Sequence, residues 1–519
     1  MKNYKKYLPL LLALLIVGAC EQYKLPEIAK PTTGTTVSFA KMVSVGNSLT
    51  AGFMNGALYT AGQNNSWTSI LAGQMKLAGG GNFNQPDINS VNGYYGVAGT
   101  TILGRLYLKG TTSPAPAPKI PGDLPTAFTG DKAQLNNFGV PGITIQTAQL
   151  AALGGPSSGN PFFNPLYQRF ASNPGTSTVL GDAANALKNG GTFFTFWLGN
   201  NDVLGYATGG ASNPAILTSN ATFTAAYNTA INAMLSANTA AYGAVANIPD
   251  VTAIPFFTTV AYNAIPLDAA TAAVVSSGFA GYNQAMQGVA GALTATPQAF
   301  GLNSTTAAPI IAQIATRLVT FTASKNNKIL IADETLVNMG PFFDGLLGVG
   351  AITADQRTAL TPYQQVRQAT ASDLICLTAG SILGTTVGGN PSAVNGVSVP
   401  LNDSYVLLPS EIAEVKERVT SFNNTIKAAV DASNGRLVLV DAFSIFSEVA
   451  KGTVLINGSA FTASITPPNG GFSLDGVHPN ARGYGFVANK FIEAINAKWG
   501  STIPLCNPNS YPGNEFPIP

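Results

Sequence analysis

The chain has 519 residues, of which 46% are hydrophobic and 10% are charged, so it has ample material for a folded core and differs from a disordered chain. Its 26 basic and 24 acidic residues nearly cancel, which argues against an electrostatic nucleic-acid binder. The sequence contains one histidine, which argues against His-rich zinc or iron sites.

The N-terminus is predicted to be an export signal. Three lysines precede an apolar run over residues 8–17, which is shorter than the roughly 20 residues of a membrane span and typical of a secretory signal. Val-Gly-Ala before Cys20 is typical of a bacterial lipobox. It predicts that residues 1–19 are removed by cleavage just before Cys20 and that Cys20 is acylated. An ordinary cleaved signal followed by an accidental cysteine is the alternative. We expect a lipid-anchored protein of the bacterial envelope, at the outer membrane and on either face, with residues 20–38 as a tether.

Two further thiols, Cys376 and Cys506, complete the cysteine content. An exported protein meets an oxidising compartment, where a disulfide between them can form. Two buried free thiols are equally compatible with the sequence, because spacing alone does not define a pairing.

Short apolar runs of strand character recur along the chain. They are predicted at residues 41–45, more weakly near Leu135, and at 192–198, 243–248 and 437–440. The run at 192–198 is apolar at nearly every position, as in a parallel sheet covered on both faces.

Helical periodicity lies between and after these runs. Apolar residues repeat at helical spacing over 223–235, 412–430 and 484–499. Strands that alternate with helices predict an α/β fold with a mostly parallel sheet. In such sheets ligands bind beyond the carboxyl ends of the strands, so catalytic residues are expected to follow strands directly.

Three stretches fit no strand–helix unit. We interpret residues 57–132, 263–327 and 344–400 as insertions or a cap on one domain that spans 39–500. Residues 501–519 are rich in proline and are predicted to be a tail in extended form on the surface.

The sole histidine, His478, follows Asp475 by three residues and stands before a predicted helix. A lone histidine is more often structural than catalytic. In this spacing, however, the carboxylate can reach the imidazole, fix its tautomer and stabilise the imidazolium. This pair is therefore a candidate for the base and the orienting acid of a serine hydrolase.

Two serines compete for the nucleophile. Gly-Pro-Ser-Ser-Gly at 155–159 matches the G-x-S-x-G pattern, but no strand precedes it and Asn-Pro follows, so we predict a surface loop. Ser48, within Gly-Asn-Ser-Leu at 46–49, follows the first predicted strand directly. A serine at a strand-to-helix turn presents both its hydroxyl and its backbone N–H to a substrate.

Two further segments suit the stabilisation of an oxyanion. Gly-Asn-Asn-Asp at 199–202 follows a predicted strand and offers a side-chain amide, and Asn-Phe-Gly-Val-Pro-Gly at 137–142 offers backbone N–H groups next to glycine. Taken alone, each segment is also typical of a plain turn.

Together the segments 46–49, 137–142, 199–202 and 475–478 resemble, in this order, the four blocks of the SGNH/GDSL hydrolase family. The resemblance implies a three-layer α/β/α sandwich of flavodoxin-like type and a hydrolase without metal or organic cofactor. It also implies a catalytic role for Ser48, Gly142 (with Gly139 as a weaker alternative), Asn201, Asp475 and His478.

The chain departs from the family pattern in two ways. Asn47 stands where the family has an aspartate, which is a supporting position rather than the nucleophile. The blocks also lie farther apart than in compact members, so the insertions are the expected source of substrate choice.

The sequence thus predicts a serine esterase or lipase acting on an ester substrate. The sequence is compatible with two classes of substrate, a lipid with acyl chains and an acetylated glycan. A contiguous apolar cap over Ser48, for example from the pairs at 256–257 or 342–343, would favour acyl chains, and an open groove with aromatic and asparagine side chains would favour glycans. The non-enzymatic alternative is an inactive scaffold of this fold that binds a ligand. A structural role in the envelope is supported by no sequence feature beyond the predicted lipid anchor. The sequence does not define the oligomeric state.

Overall fold

A parallel five-stranded sheet lies at the centre of the molecule. The computed structural model describes residues 30–110 and 114–517. The strands are β1 (Met42–Gly46), β2 (Asn137–Gly139), β3 (Phe193–Trp197), β4 (Tyr242–Ala246) and β5 (Leu437–Val440). Their order across the sheet is 2-1-3-4-5 with every pair parallel, the order of flavodoxin-like doubly wound sheets. The predicted parallel α/β sheet is confirmed. Where both ends of a strand were predicted, the observed ends differ from them by at most two residues.

Sixteen α-helices occur among the described residues. The helices before the large insertion are α1 (Ser48–Ala51), α2 (Thr60–Asn64), α3 (Trp67–Leu77), α4 (Pro165–Gln168), α5 (Val179–Lys188), α6 (Asn201–Thr208), α7 (Asn220–Ala237) and α8 (Pro255–Thr258). The later helices are α9 (Ala269–Gly278), α10 (Ala280–Ala295), α11 (Ser304–Thr316), α12 (Gly340–Gly348), α13 (Ala354–Ala359), α14 (Pro409–Asp431), α15 (Ala442–Ala450) and α16 (Ala481–Trp499). The three helices predicted from periodicity are α7, α14 and α16.

Helices cover both faces of the sheet. Side chains alternate along β3, so Phe193 and Trp197 face one layer while Phe194 and Phe196 face the other. The first layer contains α3 and α16, and the second contains α5, α7 and α14. The sheet therefore forms the middle layer of an α/β/α arrangement, and its mostly apolar strands reflect burial on both sides.

Part of the range 57–132 belongs to the core rather than to an insertion. Trp67 of α3 is fully buried and stacks on Phe491 of α16, with ring centroids 4.1 Å apart. The prediction was wrong for this helix because its glycine-rich continuation obscured the periodicity. The range also contains α2 and two hairpins, Gly96–Ala98 with Thr101–Leu103 and Leu106–Lys109 with Ala115–Pro118.

The insertion between β4 and α14 has a hydrophobic core of its own. Its buried side chains run from Ile265 to Leu408 and include the fully buried Met286 and Phe343. The ranges 263–327 and 344–400 are therefore parts of one inserted unit that is joined through the residues between them. Its short antiparallel pairs are Ile265–Leu267 with Ser324–Asn327, Leu330–Ala332 with Val366–Gln368, Leu374–Ile375 with Val406–Leu407, and Thr386–Val387 with Asn390–Val394.

The two cysteines are not bridged. Cys376 and Cys506 are both buried free thiols. Cys376 packs in the layer of α5, α7 and α14, whereas Cys506 packs in the layer of α3 and α16. The sheet lies between these layers, so the disulfide considered from the sequence is wrong, and the alternative of two buried thiols is correct.

The proline-rich tail lies on the core. The side chain of Asn489 in α16 donates to the Cys506 carbonyl and accepts from the Cys506 N–H, both at 2.9 Å. Farther on, the amide of Asn514 donates to the carbonyls of Ile465 and Phe472. A hairpin of Val454–Ile456 and Ser459–Phe461 lies nearby.

The predicted signal peptide, Cys20 and the first part of the tether lie outside the described residues. Among the described helices, none combines the length and the apolar character needed to cross a membrane.

The packing of α3 against α16 yields a stability prediction. Phe491→Ala should lower the free energy of unfolding by about 3–5 kcal/mol, because it removes a buried ring and leaves a cavity under Trp67. Phe162→Ala, at a ring that is 48% exposed, is the control and should change it by about 0.5 kcal/mol or less. Urea unfolding followed by tryptophan fluorescence measures both, and equal effects would contradict this packing.

Candidate active site

Ser48 lies directly beyond the carboxyl end of β1, as the first residue of α1. The side chain of Asn47 caps this helix by accepting the Leu49 N–H at 3.1 Å. Gly52, with φ of 81°, ends the helix after one turn. Asn47 is thus a capping residue, and asparagine serves there as well as aspartate does. Ser48 is 7% exposed, so its hydroxyl reaches solvent only through a small opening.

A glycine in β2 allows α1 to lie against the strand ends. A Cβ atom on Gly139 would stand 2.4 Å from the Ala51 nitrogen, so a larger residue would displace the helix that carries Ser48. The Gly139 N–H donates to the side chain of Asn137 at 2.9 Å and is therefore already used. Gly139 is a packing residue, and its weaker candidacy as an oxyanion donor finds no support.

The loop before α16 holds the histidine and the aspartate. The Ser473 N–H donates to the His478 carbonyl at 2.7 Å and closes the loop. Inside it, the Asp475 Oδ1 accepts the N–H groups of Val477 and His478, both at 2.9 Å. The side chain of Asn480 then caps α16 by accepting the Gly483 N–H at 3.0 Å. Helix start and loop together fix the position of the imidazole.

Ser48, His478 and Asp475 form one hydrogen-bonded chain. His478 Nδ1 lies 3.0 Å from Asp475 Oδ2, and His478 Nε2 lies 2.8 Å from Ser48 Oγ. An ionised carboxylate only accepts hydrogen bonds, so Nδ1 must carry the proton and Nε2 must be the acceptor. Ser48 Oγ therefore donates to His478 Nε2. This is the geometry of a serine nucleophile, a general base and an orienting carboxylate.

The Asp475 carboxylate stays charged. Its burial raises the pKa, but this effect is outweighed by the charge of His478 and by hydrogen bonds from the imidazole and the two loop N–H groups, which lower the pKa to about 2. Its Oδ2 atom also accepts the N–H of Gly56 at 2.9 Å. Each oxygen thus has its partners, and the charge is retained at neutral pH.

The turn at Asn55 and Gly56 is a part of the site that the sequence analysis missed. Both residues have positive φ angles, 54° and 74°. Asn55 donates its N–H to Ser473 Oγ at 2.9 Å and accepts the Leu474 N–H at 3.0 Å. Asn-Gly is a strong turn signal, but the sequence does not show that this turn binds the loop of Asp475.

Three groups suit an oxyanion. Among the described residues, the backbone N–H groups of Ser48 and Gly142 have no hydrogen-bond acceptor. Gly142 has φ of 82°, which favours glycine. Asn201, the first residue of α6, donates one N–H of its amide to the Ile143 carbonyl at 2.8 Å. An amide nitrogen carries two hydrogens, so the second remains for a ligand.

The loop of Gly142 is tied to α6 by Asp202. The Asp202 Oδ2 accepts the Ile145 N–H at 2.9 Å, and its Oδ1 accepts the Thr218 hydroxyl at 3.0 Å. Burial raises the pKa of Asp202 to about 7. Ser48, Asn201 and His478 line a common cavity of about 40 Å³, so three of the four sequence blocks meet at one edge of the sheet. Gly142 does not line this cavity, and its loop is joined to the site by the bond from Asn201 to the Ile143 carbonyl.

The competing serine lies elsewhere. Ser157 is exposed, and its carbonyl accepts the Asn160 N–H at 3.3 Å within a surface turn. The prediction of a surface loop at 155–159 is confirmed.

One group of carboxylates outside this site brings its oxygens within 4.8 Å of one another: Glu334, Asp403 and Glu411. Burial raises the pKa of Glu411 and of Asp403, and the charge of Glu334 acts in the same direction. The Glu411 carboxylate accepts the Leu408 N–H at 2.7 Å at the start of α14, which is a capping role.

Comparisons of the chain with protein-family models, with curated proteins and with solved structures gave no match. The function of the chain is therefore inferred from the geometry of the site and from the short sequence blocks that build it.

The charge of Asp475 yields a pH prediction. Its pKa of about 2 in the folded state is lower than the roughly 3.9 of an unfolded aspartate, so it contributes about 2 kcal/mol of stability above pH 5, which is lost as the pH falls towards 2. Asp475→Asn should therefore be less stable than the wild type at pH 7 by about this amount, and the difference should shrink at pH 3. Denaturant unfolding at both pH values measures it, with Asp355→Asn at an exposed position as the control. A difference that does not change with pH would contradict the assignment.

Proposed function

We propose that the protein is a serine esterase that hydrolyses carboxylic esters. The observation that carries the proposal is the hydrogen bond of 2.8 Å between Ser48 Oγ and His478 Nε2, with the carboxylate of Asp475 on the other imidazole nitrogen. A serine hydroxyl is a weak nucleophile until an adjacent base removes its proton. A structural histidine does not need a charged carboxylate on one nitrogen and, on the other, a serine hydroxyl that has no further hydrogen-bond partner among the described residues.

The reaction proceeds in two steps. His478 takes the Ser48 proton as Oγ attacks the ester carbonyl, and the imidazolium that forms is stabilised by Asp475. The tetrahedral intermediate collapses when His478 returns the proton to the leaving alcohol, which leaves an acyl group on Ser48. Water, activated by the same imidazole, then releases the acid and restores the hydroxyl.

We expect the developing oxyanion to accept hydrogen bonds from N–H groups that have no other acceptor among the described residues. The backbone donors are those of Ser48 and Gly142, and the second hydrogen of the Asn201 amide is the third donor. Because these groups are fixed by the bonds of Asn201 to Ile143 and of Asp202 to Ile145, they need little reorganisation when charge develops.

The four blocks and the 2-1-3-4-5 sheet also support membership of the SGNH/GDSL hydrolase family, which we propose for this chain. We further propose that the mature protein is anchored by lipid at Cys20 in the outer membrane of a bacterium. The proposed reaction uses no metal or organic cofactor.

Replacement of the nucleophile is the direct test of the proposal. Ser48→Ala should lower the kcat for p-nitrophenyl acetate by about 10⁶-fold, because it removes the group that forms the acyl-enzyme. Ser157→Ala is the matched control, since it alters the serine of the G-x-S-x-G pattern and should leave kcat unchanged. The proposal is wrong if Ser48→Ala retains the wild-type rate, and wild-type protein without turnover on any ester would favour the inactive ligand-binding scaffold.

The oxyanion assignment predicts a loss of turnover with little loss of binding. Asn201→Ala should lower kcat by about 10²–10³-fold while KM changes little, because the amide hydrogen that Ile143 does not use donates mainly to the charge of the transition state. Asn201→Asp keeps the shape of the side chain but removes its donors, and it should be at least as impaired. Steady-state kinetics on p-nitrophenyl butyrate separate the two parameters. A change confined to KM would place Asn201 in ground-state binding instead.

A further inference from the structure

A large apolar cleft adjoins the hydrogen-bonded chain of Ser48, His478 and Asp475. Its volume is about 840 Å³, against about 40 Å³ for the cavity at Ser48. Asp475 lines the cleft, and Val477 lines both the cleft and the small cavity. The side chain of Val477 is thus a wall common to the cleft and to the cavity at Ser48.

The walls of the cleft suit aliphatic groups. The apolar residues that line it include Leu106, Leu108, Phe256, Leu377, Ile465 and Leu474. Among the described residues lining the cleft, Asp475 is the only charged one, and its oxygens are occupied by His478 and backbone N–H groups. Two of the hydroxyls in the wall, those of Thr259 and Ser381, donate to backbone carbonyls. Few polar groups remain that could replace the water around a sugar.

The cleft is built by segments outside the sheet, and a hydrogen bond joins it to the loop before α16 that holds Asp475 and His478. The hairpin of Leu106–Lys109 and Ala115–Pro118 supplies one wall, and the inserted unit supplies another through residues 377–381. The Phe256 N–H donates to the Gly476 carbonyl at 2.9 Å, next to Asp475 in sequence. Phe516 of the tail, 68% exposed, lies at the cleft as well.

Of the two phenylalanine pairs considered from the sequence, one residue lines this cleft. Both residues of the first pair are buried in the core, and of the two only Phe256 also lines the cleft. Phe343 is fully buried in the inserted unit, where Phe342 packs on Phe300. Neither pair therefore forms a cap directly over Ser48, and Phe256 contributes to the adjoining cleft instead.

We propose that this cleft binds the aliphatic chain of the ester substrate, so that the enzyme prefers chains of about eight carbons or more over acetate. The inference rests on the proposed esterase function. Each methylene that leaves water for an apolar wall should raise kcat/KM by about fourfold until the cleft is filled. The chain belongs either to the acyl part or to the alcohol part of the ester, and the two are separated by experiment.

The test fills the cleft without touching the catalytic residues. Thr378 is exposed in the wall and its hydroxyl has no hydrogen-bond partner among the described residues. Thr378→Trp should lower kcat/KM for p-nitrophenyl decanoate at least tenfold and leave p-nitrophenyl acetate within twofold. Thr294→Trp, at an exposed position of α10 outside the cleft, is the matched control and should change neither value. The same comparison with decyl acetate and ethyl acetate shows whether the alcohol part occupies the cleft.

A binding measurement keeps the cleft testable apart from catalysis. Octan-1-ol should bind to the Ser48→Ala variant at least tenfold more tightly than butan-1-ol in isothermal titration calorimetry, and Thr378→Trp in that background should remove the difference. The cleft assignment would be overturned if the enzyme hydrolysed p-nitrophenyl acetate without any preference for longer chains and bound the two alcohols equally. That result would favour acetylated glycans as substrates. Tight octan-1-ol binding without hydrolysis would retain the cleft and reject the esterase.

Discussion

The site depends on one histidine that is held between two distant parts of the chain. His478 bonds to Ser48, 430 positions earlier in the sequence, while Asp475 and the turn at Gly56 fix its other nitrogen. Because the carboxylate keeps its charge, the imidazole has one tautomer and one orientation. The end of β1, the loop before α16 and the turn after α1 must all be in place for this geometry to exist.

The sheet and the site residues were predictable because their signals are local. A run that is apolar at nearly every position, such as 193–197, needs cover on both faces, and a parallel sheet brings the residues after its strands to one edge. This is why Ser48 and Asn201, which follow β1 and β3, meet beside the only histidine. The absence of a strand before residues 155–159 was equally informative, since it separated a chance serine motif from the strand-to-helix turn at Ser48.

What the sequence did not reveal depends on long-range packing. The pairing of the turn at Asn55 with the loop at Leu474 joins segments 419 positions apart, and no local pattern encodes it. The two thiols looked compatible with a bridge until their positions on opposite faces of the sheet were known. The cleft, likewise, is made from a hairpin, an inserted unit and a tail that lie far apart in the sequence.

The central claim is that Ser48 is an activated nucleophile, and covalent labelling tests it without any assumption about the substrate. A fluorophosphonate probe reacts with a serine whose proton is removed by a neighbouring base, so intact-mass and peptide analysis should show one adduct, on Ser48. The adduct should be absent from Ser48→Ala and strongly reduced in His478→Ala. An unlabelled wild-type protein, or labelling that is unchanged in His478→Ala, would contradict the account.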